Sequence, residues 1–238
     1  MNHIHVFETA DAVEHISLHG MRAVVIDILR ATTTITTALQ NGAVSVVPVT
    51  TVEAVLEFLP ENGFDLLRAG ERQGLKVTGF DLGNSPLEYQ QPVVAGKQIV
   101  MSTSNGTRAL VNSLAADSVW IASFRNAAAI VNALTASRTD IAIVQAGSLE
   151  AFSLEDGLCA GLLIDRICAI QPDWELDAAG RHARACYKKY ADDLYQGFLQ
   201  SIHGQNLIRL GFENDLRFCA EIDQNHIVPK FNQGKITV

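Results

Sequence analysis

The chain has 238 residues, 48% of them hydrophobic and 18% charged, with a formal net charge of −8. That length and composition are ample for a globular core, no apolar run is long and uninterrupted enough to span a bilayer, and an acidic balance without any Lys/Arg run argues against broad nucleic-acid binding. The opening 20 residues carry His3, Glu8, Asp11 and Glu14 where a secretory signal needs a basic start and an apolar run, so a cytoplasmic protein is expected.

In chain order, residues 4–7 read as a strand, 10–18 as a helix and 23–28 as a β-branched strand, the start of a βαβ series. Residues 33–40 follow as a helix closed by Asn41-Gly42, a pair that tolerates the left-handed conformation a helix end requires, and 44–48 as the next strand. A helix over 52–59 is expected to stop at Pro60. Residues 66–85, rich in Gly, charge and turn formers, read as a long polar loop with only short strand-like pieces. Strand, polar turn and helix then recur three times: 98–101 with 108–114, 119–122 with 126–134, and 141–145 with 155–170. A long amphipathic helix over 181–202, a short helix over 216–221 and a strand at Ile227-Val228 complete the pattern.

This order predicts an α/β fold with a mostly parallel or mixed sheet and helices on both faces, its ligands lying beyond the carboxyl ends of the strands. A single compact unit over 1–238 is expected, with two intimately packed lobes dividing near 115–140 as the alternative. The apolar helix over 157–170 suits a homodimer interface as readily as a core. Cys159, Cys168, Cys186 and Cys219 are too widely spaced for a metal knuckle or a dense disulfide framework, and the scattered histidines, His15 and His203 among them, show no zinc spacing.

Four segments carry residue types suited to chemistry. At the end of the 23–28 strand, Asp27, Arg30, Thr32, Thr33 and Thr34 join a potential metal ligand to a helix start whose N–H groups, hydroxyls and guanidinium favour an anion. Capping of the turn by Asp27 and the threonines is the plain alternative. Ser102, Thr103, Ser104, Asn105, Gly106, Thr107 and Arg108 repeat that chemistry at a second strand end, with more hydroxyls than a helix cap uses. Glu71, Arg72, Asp81, Asn84 and Ser85 supply hard oxygen ligands of the kind Mg²⁺ prefers, or else stiffen a solvated loop ahead of Pro86. Glu155-Asp156, after Gly147-Ser148 and Ser153, open a helix, where acids also serve the helix dipole. The phosphate-loop, nucleophile-elbow and dinucleotide fingerprints are missing from the sequence. Leu29 occupies the position where a DxD aspartyl-phosphate enzyme carries its second acid.

Val-Ile-Asp-Ile-Leu-Arg-Ala-Thr-Thr-Thr at 25–34, Ala-Gly-Glu-Arg at 69–72, Gly-Phe-Asp-Leu-Gly-Asn-Ser-Pro at 79–86 and Thr-Ser-Asn-Gly-Thr-Arg-Ala-Leu at 103–110, in this order, resemble the 2-phosphosulfolactate phosphatase family. The resemblance extends through Ser-Leu-Glu-Asp at 153–156 and thins to general layout beyond 181. It implies an α/β phosphatase that requires Mg²⁺ and hydrolyses 2-phospho-3-sulfolactate to sulfolactate and phosphate in coenzyme M synthesis. A related phosphorylated hydroxy acid is the broader expectation for the substrate.

Matching these motifs to the physics gives an expected site. Mg²⁺ is held by some of Asp27, Glu71 and Asp81, with Arg30 and Arg72 as catalytic cations. The phosphoryl group and the substrate's other acid are held by Thr32–Thr34, Asn84, Ser85, Ser104, Asn105, Gly106, Thr107 and Arg108. Water attacks phosphorus directly, or a covalent intermediate forms on Asp27 or a loop hydroxyl. The alternative function is a non-catalytic binding protein for an acidic phosphorylated metabolite. Three carboxylates beside anion sites favour the enzyme, because a pure anion receptor gains nothing from them without a cation between.

Overall fold

The computed structural model describes residues 2–14, 16–60, 63–148 and 151–238; His15 therefore lies outside the described residues. The N-terminal elements are β1 (His3–Phe7), β2 (Arg22–Ile26), α1 (Ala31–Gln40), β3 (Ser45–Pro48), α2 (Val52–Glu57), β4 (Leu66–Arg72) and β5 (Leu75–Lys76). The middle of the chain forms α3 (Gln91–Val94), β6 (Gln98–Ser102), α4 (Gly106–Asn112), β7 (Ser118–Ala122), α5 (Ala127–Thr135), β8 (Ile141–Gln145), α6 (Leu154–Ile170) and β9 (Glu175–Leu176). Helices α7 (Ala178–Tyr190), α8 (Leu194–Gln200), α9 (Ile202–Arg209) and α10 (Glu213–Cys219) follow, and the hairpin β10 (Lys230–Asn232) and β11 (Lys235–Thr237) ends the chain.

The strands form one open sheet in the order β5-β4-β6-β3-β11-β10-β7-β2-β8-β1-β9. Two parallel blocks, β4-β6-β3 and β7-β2-β8-β1-β9, are joined by the C-terminal hairpin, which pairs antiparallel with β3 on one side and β7 on the other. The fold class is the expected one, a mostly parallel sheet covered by helices.

Strand β2 shows how its sequence dictates two buried faces. Val24 and Ile26 point into a core built with α5, α6, α7 and α8, whereas Ala23 and Val25 point into the opposite core under α1 and α4. A strand buried on both faces has no polar side to show, hence the continuous apolar run Ala-Val-Val-Ile after the half-buried Arg22. Helix α6 commits most of its apolar residues, from Leu158 to Ile167, to the first core. The four cysteines are free thiols, Cys159 and Cys219 buried.

Helix α1 is an unusual solution. Five of its ten residues are β-branched threonines, poor helix formers. Their hydroxyls find partners that an apolar residue could not use: Thr36 and Thr37 donate back to the carbonyl of Thr33, and Thr34 donates to the carbonyl of Asn84 across 2.8 Å. Tertiary hydrogen bonding and burial offset the weak propensity.

Several expected boundaries change. The helix expected over 10–18 is a single 3-10 turn at Ala10–Val13, capped by the Thr9 hydroxyl. The loop expected over 66–85 contains β4 and β5. Gly70 lets β4 lie against β6, since with φ +144 and the Ser102 carbonyl directly opposite, no side chain fits. The single helix expected over 181–202 is two, α7 and α8, separated by a turn in which Asp193 caps the second. Ile227-Val228 precedes β10 and is not itself a strand.

Candidate functional site

The carboxyl ends of β2, β4, β6 and β8 deliver four loops to one cavity of about 420 Å³, which α9 also lines. Such a volume suits a small metabolite. From the first loop come Asp27, Leu29 and Arg30; from the second Glu71, Gln73 and Gly74; from the third Ser104 and Asn105; from the fourth Gly147, Ser148, Ser153, Glu155 and Asp156. Asn84 also reaches it, as do Ile202, His203, Asn206 and Arg209 of α9.

Asp27 sits one residue past β2. Its backbone N–H donates to the Thr32 hydroxyl and its carbonyl accepts from that hydroxyl, while Oδ1 accepts from the Ala31 N–H at 3.3 Å. Burial pushes the Asp27 carboxyl up from 3.8 to about 6; Glu71 and Glu155 add to the rise, and His203 with the Ala31 N–H opposes it. Behind Asp27 lies Gly106, where a Cβ would stand 2.7 Å from Asp27 Oδ2 and from Ala31 Cβ, so the Ser104–Gly106 segment packs closely against Asp27.

Asp156, in the first turn of α6, reaches across to bind the Asp27 loop: Oδ1 accepts from the Ile28 N–H at 2.8 Å and Oδ2 from the Gly147 N–H at 3.3 Å. Burial raises its carboxyl well above the ordinary range, reinforced by Asp27 and Glu155 and countered by those two N–H groups. The neighbouring Glu155 carboxylate, also buried, accepts no hydrogen bond among the described residues.

Other expected site residues are committed to holding the loops. Glu71 accepts the Gly74 N–H at 2.7 Å and the Ser104 N–H at 2.8 Å, tying two loops together with both oxygens. Arg30 is 2% exposed; it donates to Asp215 Oδ2 and to the Gly74 carbonyl, both at 2.6 Å, and its plane lies over Phe212. The second oxygen of Asp215 accepts the Ser85 hydroxyl at 2.7 Å, so α10 fastens both segments. Arg72 donates to Ser102 and to the Glu71 carbonyl.

The hydroxyls of Thr32, Thr33 and Thr34 donate to the carbonyls of Asp27, Ile28 and Asn84, fully buried and away from the cavity lining. They shape the loop and are not turned toward a phosphate. Thr107 exchanges hydrogen bonds with Thr103, and Arg108 pairs at 3.4 Å with Asp11 outside the cavity. Asp81 is solvent-exposed, 13 residues after Arg68 and accepting its N–H at 2.7 Å, and does not line the cavity. The cavity thus gathers Asp27, Arg30, Glu71, Asn84, Ser104 and Asn105 from the expected set and leaves out Arg72, Thr32–Thr34, Asp81, Ser85, Gly106, Thr107 and Arg108.

Among the described residues, no three His, Cys, Asp or Glu side chains are already gathered around a point that could hold an ion. The donor chemistry nevertheless fits Mg²⁺. That ion is commonly held by one or two carboxylates, with waters and substrate phosphate oxygens completing its shell, and Asp27 and Glu155 are the carboxylates with an oxygen not committed to a backbone N–H.

Sequence reasoning assigns no role to Asp215, His203, Asn206 or Arg209. The helical spacing of 203, 206 and 209 places them on one face, the only local trace of their convergence. No helix among the described residues is long and apolar enough to cross a membrane.

The family model for 2-phosphosulpholactate phosphatase matches residues 7–234. Similar proteins include a probable 2-phosphosulfolactate phosphatase of Symbiobacterium thermophilum, 42% identical over 93% of this chain and 95% of that protein. Proteins of the same printed name from Clostridium acetobutylicum and Caldanaerobacter subterraneus subsp. tengcongensis are each 39% identical, over 96% and 97% of this chain and 97% and 96% of their own lengths. With a match running from the end of β1 to the turn after β10 and through all four loops of the cavity, the chain belongs to the 2-phosphosulpholactate phosphatase family.

Proposed function

We propose that the protein is a Mg²⁺-dependent phosphatase that hydrolyses a small acidic phosphoester, 2-phospho-3-sulfolactate or a related phosphorylated hydroxy acid, in the cavity at the carboxyl ends of β2, β4, β6 and β8. The observation that carries this reading is the pair of buried carboxyls Asp27 and Asp156, both raised chiefly by burial, lining a cavity of metabolite size. Perturbed acids of this kind are arranged where protons or cations are handled. The printed names of the relatives supply the substrate class.

Asp27 and Glu155 are the residues that would hold Mg²⁺. In that position the ion would supply charge withdrawal from the phosphoryl oxygens and would relieve the repulsion between these acids. Asp156 keeps its proton well above the usual carboxylate range and is fixed by the Ile28 N–H, so it suits the general acid that protonates the departing alkoxide. Its Oδ2, the oxygen with the longer contact, is the one to carry that proton. The Ser104 hydroxyl and the Asn105 amide supply donors for phosphoryl oxygens. Glu71 keeps the Ser104 loop in place through its N–H and so acts as a positioning residue.

The test is phosphate release from a panel of phosphorylated hydroxy acids, with Mg²⁺ and with EDTA. Metal-dependent release from at least one of them is expected. No release from any, with or without metal, overturns the reading.

A further inference from the structure

Helix α9 presents Ile202, His203, Asn206 and Arg209 to the cavity, while Gly204 and Leu207 on its other side are buried in the fold. At about 100° per residue, 202, 203, 206 and 209 fall within one third of the helix circumference. The same cavity is lined by the carboxylates of Asp27, Glu71, Glu155 and Asp156, all from the strand-end loops and the start of α6. The cavity therefore receives its carboxylates from the strand-end loops and the start of α6, and cationic and amide donors from α9.

Two guanidinium groups line it, and only one is available. Arg30 is spent on Asp215 and Gly74, whereas Arg209 donates to no group and pairs with no acid among the described residues. His203 stands close enough to Asp27 for their charges to interact. A phosphoester with a second anionic group needs a counter-charge for each end. The lining carboxylates can take the phosphoryl group only with a cation between, so the uncommitted cation of α9 is left for the other anion.

Resting on the phosphatase reading above, we propose that α9 is the subsite for the substrate's second acid group, a sulfonate or carboxylate, with Arg209 as the specificity-determining residue and His203 and Asn206 as accompanying donors. Arg209 offers a fork of N–H donors matched to a planar or tetrahedral oxyanion, which Lys reproduces only as a point charge.

The experiment compares wild type with Arg209→Gln and Arg209→Lys on three substrates: 2-phospho-3-sulfolactate, 2-phospholactate, which lacks the sulfonate, and the phosphate ester of 2-hydroxyethanesulfonate, which lacks the carboxylate. Binding of 3-sulfolactate to the same three proteins is measured by calorimetry. Arg209 is exposed, so its replacement leaves the core untouched. R209Q is expected to lower kcat/KM for 2-phospho-3-sulfolactate about ten- to a hundredfold, mainly through KM, as loss of a charge-assisted hydrogen bond implies, with partial rescue in R209K. One truncated substrate should be nearly indifferent to the change, and which one tells sulfonate from carboxylate. Equal loss on all three substrates, or no loss on any, overturns the subsite. If wild type releases no phosphate, the phosphatase reading fails, and calorimetry decides the subsite alone: weaker 3-sulfolactate binding in R209Q supports it, and unchanged or undetectable binding overturns it.

Discussion

Replacing Asp27 by Asn should make the protein more stable at neutral and alkaline pH. In the folded protein the carboxyl is raised from 3.8 to about 6, chiefly by burial. Because the folded-state value is the higher one, Asp27 costs nothing below pH 4. It destabilises progressively as pH rises from 3.8 to about 6 and carries its full penalty above that. A difference of about two units corresponds to roughly 3 kcal/mol. Asn keeps an oxygen for the Ala31 N–H and never ionises, so it escapes the penalty. For a chain of this length such a gain raises Tm by roughly 5–10 °C. The assay is thermal unfolding in EDTA at pH 8 and pH 4, where the variant should exceed wild type at pH 8 and match it at pH 4. Added Mg²⁺ should narrow the gap at pH 8 by stabilising wild type alone. A variant equally destabilised at both pH values would refute the reasoning, since the carboxylate would then be a net stabilising group.

Two further predictions concern the scaffold around that carboxyl. Asp215→Ala leaves the buried Arg30 guanidinium without its counter-charge and Ser85 without its acceptor. It should lower stability in urea unfolding by about 3–5 kcal/mol, the usual consequence of stranding one member of a buried pair, and Asp215→Asn should cost less. Gly106→Ala drives a methyl group to 2.7 Å from both Asp27 Oδ2 and Ala31 Cβ. The same unfolding assay should show a loss of about 1–3 kcal/mol, accompanied by reduced turnover because the displaced group is Asp27.

Legibility in the sequence follows the range of the forces involved. Strands β2, β7 and β8 are buried on both faces, and their apolar runs announce them. Asp27 and Glu155-Asp156 stand out because strand ends and helix starts leave local marks. Strand β4 is hidden: its Leu-Leu-Arg-Ala-Gly-Glu-Arg is shaped by pairing with β6, and Gly70, which reads as a loop former, is there to admit the Ser102 carbonyl. The hairpin of β10 and β11 enters the middle of the sheet on two three-residue strands, too short for any periodicity to reveal. The threonines of α1 read as anion ligands because hydroxyl chemistry is the same toward a phosphate and toward a carbonyl; only the neighbouring carbonyls of Asp27, Ile28 and Asn84 decide between them. Arg30 likewise reads as free until Asp215, 185 residues away in sequence, is seen to hold it.

The most direct test of the central claim is steady-state phosphate release from 2-phospho-3-sulfolactate in saturating Mg²⁺ by wild type and by Asp27→Asn, with circular dichroism confirming that the variant is folded. The account predicts release by wild type and at least about a hundredfold lower kcat in the variant, the scale of losing a central electrostatic group. Turnover near the wild-type rate in a folded Asp27→Asn protein would contradict it.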